Sequence, residues 1–241
     1  DADLVQDLTE QYEEDLFLSF LPLSHTLERT VGYYLCIMTG STVAYARSVA
    51  QLGVDLQVVQ PTLLVAVPRI FERVYARVSE QMAKKGALAT RLFRLTVDVG
   101  WRRFLYQQGR AGWSLDFWLW PVLRRLVADK VISKLGGNMR AAISGGAALS
   151  HDIARVFIGL GLPIIQGYGL TETAPIVSAN PLENNKPDSV GLPIPGVRVQ
   201  IGKDQELLVK GPGVMLGYWN NHAATAQVID AQGWLHTGDQ A

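Results

Sequence analysis

Between Pro61 and Pro68 the chain runs Thr62-Leu63-Leu64-Val65-Ala66-Val67, an almost continuous apolar stretch of strand length with a proline at either end. A strand apolar at consecutive positions must be covered on both faces, which is the environment of a parallel sheet flanked by helices. The segments around it keep to that plan. Leu16 to Leu21 reads as a strand ending at Pro22, Leu27 to Met38 as a helix closed by Gly40, Ser41 to Tyr45 as a short strand and Val49 to Val59 as a short helix. Ile70-Phe71, Val74-Tyr75 and Val78 then recur at helical spacing. Farther on, Met139 to Ile143 predicts a strand, Ser144-Gly145-Gly146 a turn, Ser150 a helix start and Pro163 to Gln166 another strand. Such alternation predicts an α/β fold: a layered, mostly parallel sheet with helices on both faces.

Two regions depart from it. From about Leu88 to Lys130 the strands stop, and a long helical stretch carries Trp101, Trp113, Trp118 and Trp120 among seven arginines. It reads as a helical insertion. After Pro175 the texture turns to Gly, Pro and alternating Val, Ile and Leu; Val197 to Ile201 and Glu206 to Lys210 suggest hairpins. The expected organisation is therefore an α/β subdomain over 1–178, with its insertion at about 88–130, and a small β-rich subdomain over 179–241.

The chain has 241 residues, long enough for a sizeable core, and 22 basic residues balance 22 acidic ones, which removes any global electrostatic case for a nucleic-acid partner. The one cysteine, Cys36, lies in an apolar run and reads as a small core residue, so no intrachain disulfide can form. No apolar segment approaches the roughly 18 to 20 residues of a membrane span and no signal peptide opens the chain, so the expected location is cytoplasmic.

The stretch Gln166-Gly167-Tyr168-Gly169-Leu170-Thr171-Glu172-Thr173-Ala174-Pro175 follows a strand. It fails as a dinucleotide-binding glycine motif, because Glu172 takes the third glycine's place and Pro175 falls where the phosphate-binding helix should run. Gly196 to Lys203 fails as a phosphate loop, with five residues between its glycines and Asp204 after the lysine. What remains is a loop at a strand's carboxyl end, where open α/β sheets hold ligands. Glycines admit close backbone approach, Tyr168 offers a flat face to a base, Thr171 can donate to a phosphate oxygen, and Glu172 can hold a cation whose other positions go to phosphates and water. By residue type alone, a glycine-rich turn with a solvated glutamate fits equally well.

Tyr168-Gly169-Leu170-Thr171-Glu172 resembles the signature of the AMP-forming adenylating enzymes, the superfamily of acyl-CoA synthetases, luciferases and peptide-synthetase adenylation domains. Phe20-Leu21-Pro22-Leu23-Ser24-His25 resembles its substrate-side histidine motif, and Ser144-Gly145-Gly146-Ala147-Ala148-Leu149 its adenine-binding loop. Gly211 to Trp219 and Gly233 to Asp239 resemble its later motifs, in the expected order. Leu23 to Arg29, Val67 to Tyr75 and the long insertion are similar to long-chain fatty acyl-CoA synthetases of bacterial type.

That resemblance implies a reaction in which a long-chain fatty acid and ATP give an acyl-adenylate and pyrophosphate, and CoA then displaces AMP. It implies that Thr171 contacts the α-phosphate, Glu172 the magnesium ion and His25 the acid's carboxylate. Gly145, Gly146 and Ala147 would line the adenine, Gln166, Gly167, Tyr168 and Gly169 its other side, and Asp239 would accept hydrogen bonds from the ribose hydroxyls. Trp234 and His236 are expected to pack around Asp239, and His151 and His222 to lie on the surface at helix starts. Taken singly, His25 could satisfy backbone groups, Gly145-Gly146 could be an ordinary turn, and Asp239 a turn residue or helix cap. Other members of the superfamily activate aryl or amino acids, and a non-catalytic nucleotide-binding module is the alternative outside enzymology.

The resemblance also implies a glycine-rich phosphate loop with its lysine ahead of Asp1, and an arginine after Thr237-Gly238-Asp239 followed by a hinge and a small C-terminal domain with a catalytic lysine. Gln205 stands where a glycine is usual. The chain is thus expected to be the middle of a longer enzyme and to lack adenylation activity alone. Within 88–130, eight basic residues against three acidic ones give 8 − 3 = +5. Tryptophan interleaved with arginine suits peripheral contact with the inner face of the cytoplasmic membrane, and equally a packed aromatic face with solvated arginines.

Overall fold

The computed structural model of the chain describes residues 12–241, so the first residues of the expected 1–178 subdomain lie outside the described part. Seven strands form one sheet: β1 (Leu16–Ser19), β2 (Thr42–Tyr45), β3 (Leu63–Ala66), β4 (Ala141–Ser144), β5 (Ile164–Gly169), β6 (Ile176–Ala179) and β7 (Leu192–Pro193), in the order β2-β1-β3-β4-β5-β6-β7. The first five in that order pair in parallel, and β6 and β7 extend the sheet antiparallel. β3, the apolar run between two prolines, is buried along its length. Its side chains divide between the faces with the strand period of two. Leu63 and Val65 join Phe17, Ile143 and Ile165 in one core, and Leu64 and Ala66 join Leu18, Ala142 and Ile164 in the other.

Helices cover both faces, as the pattern requires. On the first, a π-wound segment (Glu28–Tyr34) runs into α1 (Leu35–Thr39), packs Val31, Leu35 and Cys36 on the sheet, and ends at Gly40 with a φ of 75°. The wide winding seats the Glu28 side chain between helix and sheet, where the Ser19 hydroxyl donates to its Oε1 at 2.5 Å and burial pushes its pKa up. On the second face lie α2 (Leu52–Val59) and α3 (Pro68–Lys84). Pro68 both stops β3 and starts α3, since its missing N–H falls where a helix leaves that donor unused.

The helical insertion is bound into this core. Its long helix α4 (Ala87–Gln107) crosses α5 (His151–Gly159) where each has a glycine. A Cβ on Gly100 would sit 1.8 Å from the Gly159 carbonyl oxygen, and one on Gly159 would sit 2.5 Å from that of Val97, so the backbones meet directly. Arg110 then donates to the Asn185 carbonyl oxygen at 2.7 Å and to Asn184 Oδ1 at 2.6 Å. Past Gly112, short 3₁₀, α and π turns return from Leu115 to Leu135. Trp120 is buried there with the Arg103 guanidinium 4.9 Å from its ring centre, whereas Trp118 stands in solvent. Among the described residues no helix is long and apolar enough to cross a membrane.

A second sheet, in the order β10-β9-β8, contains β8 (Arg198–Ile201), β9 (Glu206–Lys210) and β10 (Leu235–Gln240), all antiparallel, with α6 (His222–Val228) beside it. The β8–β9 hairpin lies where the alternation placed it. The division expected at 178/179 cuts through β6, because β6 and β7 belong to the large sheet. The change of texture after Pro175 marks a switch from parallel to antiparallel pairing within one sheet, and the second sheet begins only at Arg198.

Candidate functional site

The first four residues of the Gln166–Pro175 stretch are strand: β5 runs on through Gly169 and turns into β6, with Tyr168 opposite Ser178 and Gly169 opposite Ile176. The apolar pattern alone ends the strand at Gln166, because the partner that extends it, β6, comes only after Pro175. The turn is closed by Thr173, whose Oγ1 accepts from the Leu170 N–H at 3.0 Å and lies 2.9 Å from the carbonyl oxygens of Leu170 and Pro175. A Cβ on Gly169 would come within 1.7 Å of the Pro175 carbonyl oxygen, so only glycine fits. Thr171 and Glu172 are left on the outside of a tightly braced turn.

They line a cavity of about 280 Å³ that contains most of the expected site residues. Its polar lining comes from the loop after β4, the end of β5 and the turn that follows it: Gly145, Gly146, Gly167, Tyr168, Thr171 and Glu172. Its apolar lining belongs to the α1-side core and includes Leu27, Val31, Ile143, Ile165 and Ile176. His25 joins them from the loop after β1, its Nδ1 accepting from the Leu27 N–H at 3.3 Å, which puts the proton of the neutral ring on Nε2. One chamber thus joins a glycine-rich polar wall, an apolar recess and an imidazole donor.

The second sheet reaches this wall through oxygen atoms. The Tyr168 hydroxyl donates to Asp239 Oδ2 at 2.6 Å; burial, then the hydrogen bond to that carboxylate, push the phenol pKa up to about 12. The Tyr218 hydroxyl donates to Glu172 Oε1 at 2.9 Å, which raises its own pKa, and the Met215 N–H donates to the Glu172 carbonyl oxygen at 2.8 Å. Each carboxylate keeps a second oxygen for which no hydrogen bond is seen among the described residues. Among those residues, no group of three or more His, Cys, Asp or Glu comes together to hold a metal ion, so Glu172 is what the cavity offers a cation.

Three expected contacts, Asp239 among them, fall outside the cavity wall. Ala147 is not part of it, and neither is Gln166, whose buried side chain accepts from the Leu149 N–H at 2.9 Å and donates to the Pro187 carbonyl oxygen at 2.6 Å. With both ends of its amide engaged, Gln166 fixes the Gly145-Gly146 loop against the chain at Pro187. Trp234 and His236, expected to pack around Asp239, engage other partners. His236 bonds Glu206 at 2.9 Å and holds that carboxyl below its usual pKa, and Trp234 lies beneath Arg198 and Lys210. His151 and His222 are exposed at helix starts, as expected.

Two residues escaped the sequence. Ser144 lines the cavity at only 1% exposure, and its Oγ has no hydrogen-bond partner among the described residues. A serine before two glycines reads as a turn former, and nothing local distinguishes it from one with a binding role. Tyr218 lay within the Gly211–Trp219 motif, but its grip on Glu172 spans 46 positions and no periodicity reports it.

The chain matches the model of the AMP-binding enzyme family over residues 2–219. A long-chain-fatty-acid–CoA ligase, FadD15 of Mycobacterium bovis, is 38% identical over 224 residues, which are 92% of this chain and 36% of that protein. Long chain acyl-CoA synthetase 7 of Arabidopsis thaliana, a peroxisomal protein, is 32% identical over 95% of this chain and 34% of its own. The chain therefore spans about a third of the length of these relatives. In fold it is similar to apo MatB from Rhodopseudomonas palustris (TM-score 0.67, 21% identity, covering 99% of this chain and 40% of that one). It is likewise similar to the anthranilate CoA ligase AuaEII in complex with anthranoyl-AMP (TM-score 0.68, 18% identity, covering 99% and 39%). With the family model matched from end to end of its large sheet, the chain belongs to the AMP-binding enzyme family.

Proposed function

We propose that the intact protein is an AMP-forming long-chain fatty acid–CoA ligase and that this cavity is where its adenylate forms. The observation that carries this is the double lining of one chamber: Gly145, Gly146, Thr171 and Glu172 suit a nucleotide, while Val31, Ile143, Ile165 and Ile176 suit an alkyl chain. The names of the relatives at 38% and 32% identity support the same substrate class.

In the first step an oxygen of the fatty acid carboxylate attacks the α-phosphorus of ATP, and the bond to the bridging oxygen breaks to release pyrophosphate. In the second, the CoA thiolate attacks the acyl carbon, forming the C–S bond and expelling AMP as the C–O bond breaks. Charge on the phosphates has to be stabilised throughout. The Thr171 hydroxyl donates to an α-phosphate oxygen. Magnesium arrives with ATP and needs only one or two protein carboxylates; the Glu172 oxygen not held by Tyr218 fits that demand. Tyr168, oriented by Asp239, gives its ring to the adenine, and the other Asp239 oxygen accepts from the ribose. His25 donates from Nε2 to the acid's carboxylate and keeps it in line.

The test is pyrophosphate release and thioester formation by the intact protein with acids of graded length, and with aryl and amino acids alongside. Turnover that favours long alkyl acids is expected. A preference for aryl or amino acids would move the protein to another branch of the family; AMP binding without pyrophosphate release from any acid would make it a non-catalytic module.

A further inference from the structure

We propose that the outer face of the 115–126 segment, in the helical insertion, is a docking surface for an anionic phospholipid bilayer. Leu115 and Trp118 are each 77% exposed, and Leu119, Val122 and Leu126 are exposed with them. These positions recur every three or four residues, so they form one stripe on the turns between Leu115 and Ala128. The neighbouring stripe, Trp120, Leu123 and Val127, is the one buried in the insertion's own core. The segment is thus apolar on two sides, and only one of them is covered among the described residues. A contiguous stripe of this kind marks a contact surface.

Charge specifies the occupant. Arg124, Arg125, Lys130 and Lys134 stand exposed beside the stripe. Arg124 pairs with Asp129 at 3.1 Å and Arg102 pairs with Asp116, which uses the two carboxylates of this part of the insertion. Arg125, Lys130 and Arg103 have no ion pair among the described residues. Arg103 opens into a notch of about 400 Å³ walled by Tyr106, Trp113, Phe117 and Trp118. Burial, together with the nearby charge of Arg124, lowers the Arg103 pKa, so these neighbouring cations would gain from an anion. An apolar stripe with indoles at its border and unpaired cations around it matches the layering of a bilayer surface: acyl tails below, aromatic rings at headgroup depth, phosphates above. A protein partner of ordinary composition offers no such continuous layer of negative charge.

This inference does not depend on the ligase proposal. It is tested by sedimenting the intact protein with vesicles of equimolar phosphatidylglycerol and phosphatidylcholine, and with vesicles of phosphatidylcholine alone. Binding should be roughly tenfold stronger to the anionic vesicles, and both the Trp118→Glu/Val122→Glu and the Arg125→Glu/Lys130→Glu variants should lose about that factor. Brominated phosphatidylglycerol should quench tryptophan emission in the unmodified protein and do so less in Trp118→Phe, a readout that survives if a double variant folds poorly. Equal binding to neutral vesicles, or quenching that Trp118→Phe leaves unchanged, overturns the proposal. So does a Trp118→Glu/Val122→Glu variant that keeps its vesicle binding but melts earlier or changes oligomeric size, since the stripe would then be covered by protein. Ligation of detergent-dispersed fatty acid should persist in both double variants, so a failure here is separable from a failure of the ligase proposal.

Discussion

The cavity has two suppliers that are built differently. The β5–β6 hairpin is fixed by backbone closeness: Gly169 against Pro175, Thr173 bonded into its own turn, and Gln166 pinned at both ends. The three-stranded sheet and the segment after β9 are joined to it by hydroxyl–carboxylate bonds, Tyr168 to Asp239 in β10 and Tyr218 to Glu172, and by one backbone bond from Met215. β8 is exposed along its whole length. One wall is made by the fold itself. The other is held at carboxylate oxygen atoms, so a ligand that sought those oxygens would compete with the interface.

Substitutions should separate the two. Gly169→Ala drives a methyl into the Pro175 carbonyl and should cost about 3 kcal/mol in denaturant unfolding, with loss of nucleotide binding. If stability were unchanged, the hairpin would not be the rigid wall. Glu172→Gln keeps the turn and an acceptor for Tyr218; pyrophosphate release by the intact protein should fall about 10²-fold with no change in melting temperature. Gly238→Ala, at a φ of 73° with nothing within 4 Å of a new Cβ, should cost only about 1 kcal/mol of backbone strain. A cost equal to that of Gly169→Ala would erase the contrast.

Tyr168→Phe is the mildest. It severs a single neutral-donor link to the exposed Asp239, so stability at neutral pH should change by under about 1 kcal/mol. Its signature is alkaline. With the folded pKa near 12 against an ordinary value of about 10, the tyrosine's contribution is complete below pH about 10 and is lost as pH rises toward 12. A melting-temperature scan should show that loss in the unmodified protein and not in Tyr168→Phe.

Much of this was legible in the sequence because strand burial and helix spacing are local. Periodicity marks the five parallel strands and the β8–β9 hairpin, whereas the expectation that Gly145, Gly146, Tyr168, Thr171 and Glu172 lie beside His25 comes only from the resemblance to the adenylating enzymes. What escaped depends on distant partners. β6 is a strand because β5 continues past Gln166 to meet it. Gln166 reads as a binding residue because it adjoins Gly167 and Tyr168 in the motif, whereas its amide completes bonds to Leu149 and Pro187. Likewise Trp118 and Trp120, two residues apart, have opposite surroundings, which only the packing of the insertion on itself decides.

Cys36 gives the fold a clock. It is the only thiol of the 241 residues, it is buried beneath α1, and its pKa is pushed up to about 12 by burial and by neighbouring Glu28. A thiol that is neither exposed nor ionised does not react with alkylating reagents. Each labelling event on this chain therefore records a moment when α1 left the sheet, and that helix backs the apolar recess lined by Val31. The labelling rate, with and without a fatty acid present, counts the openings of that recess directly.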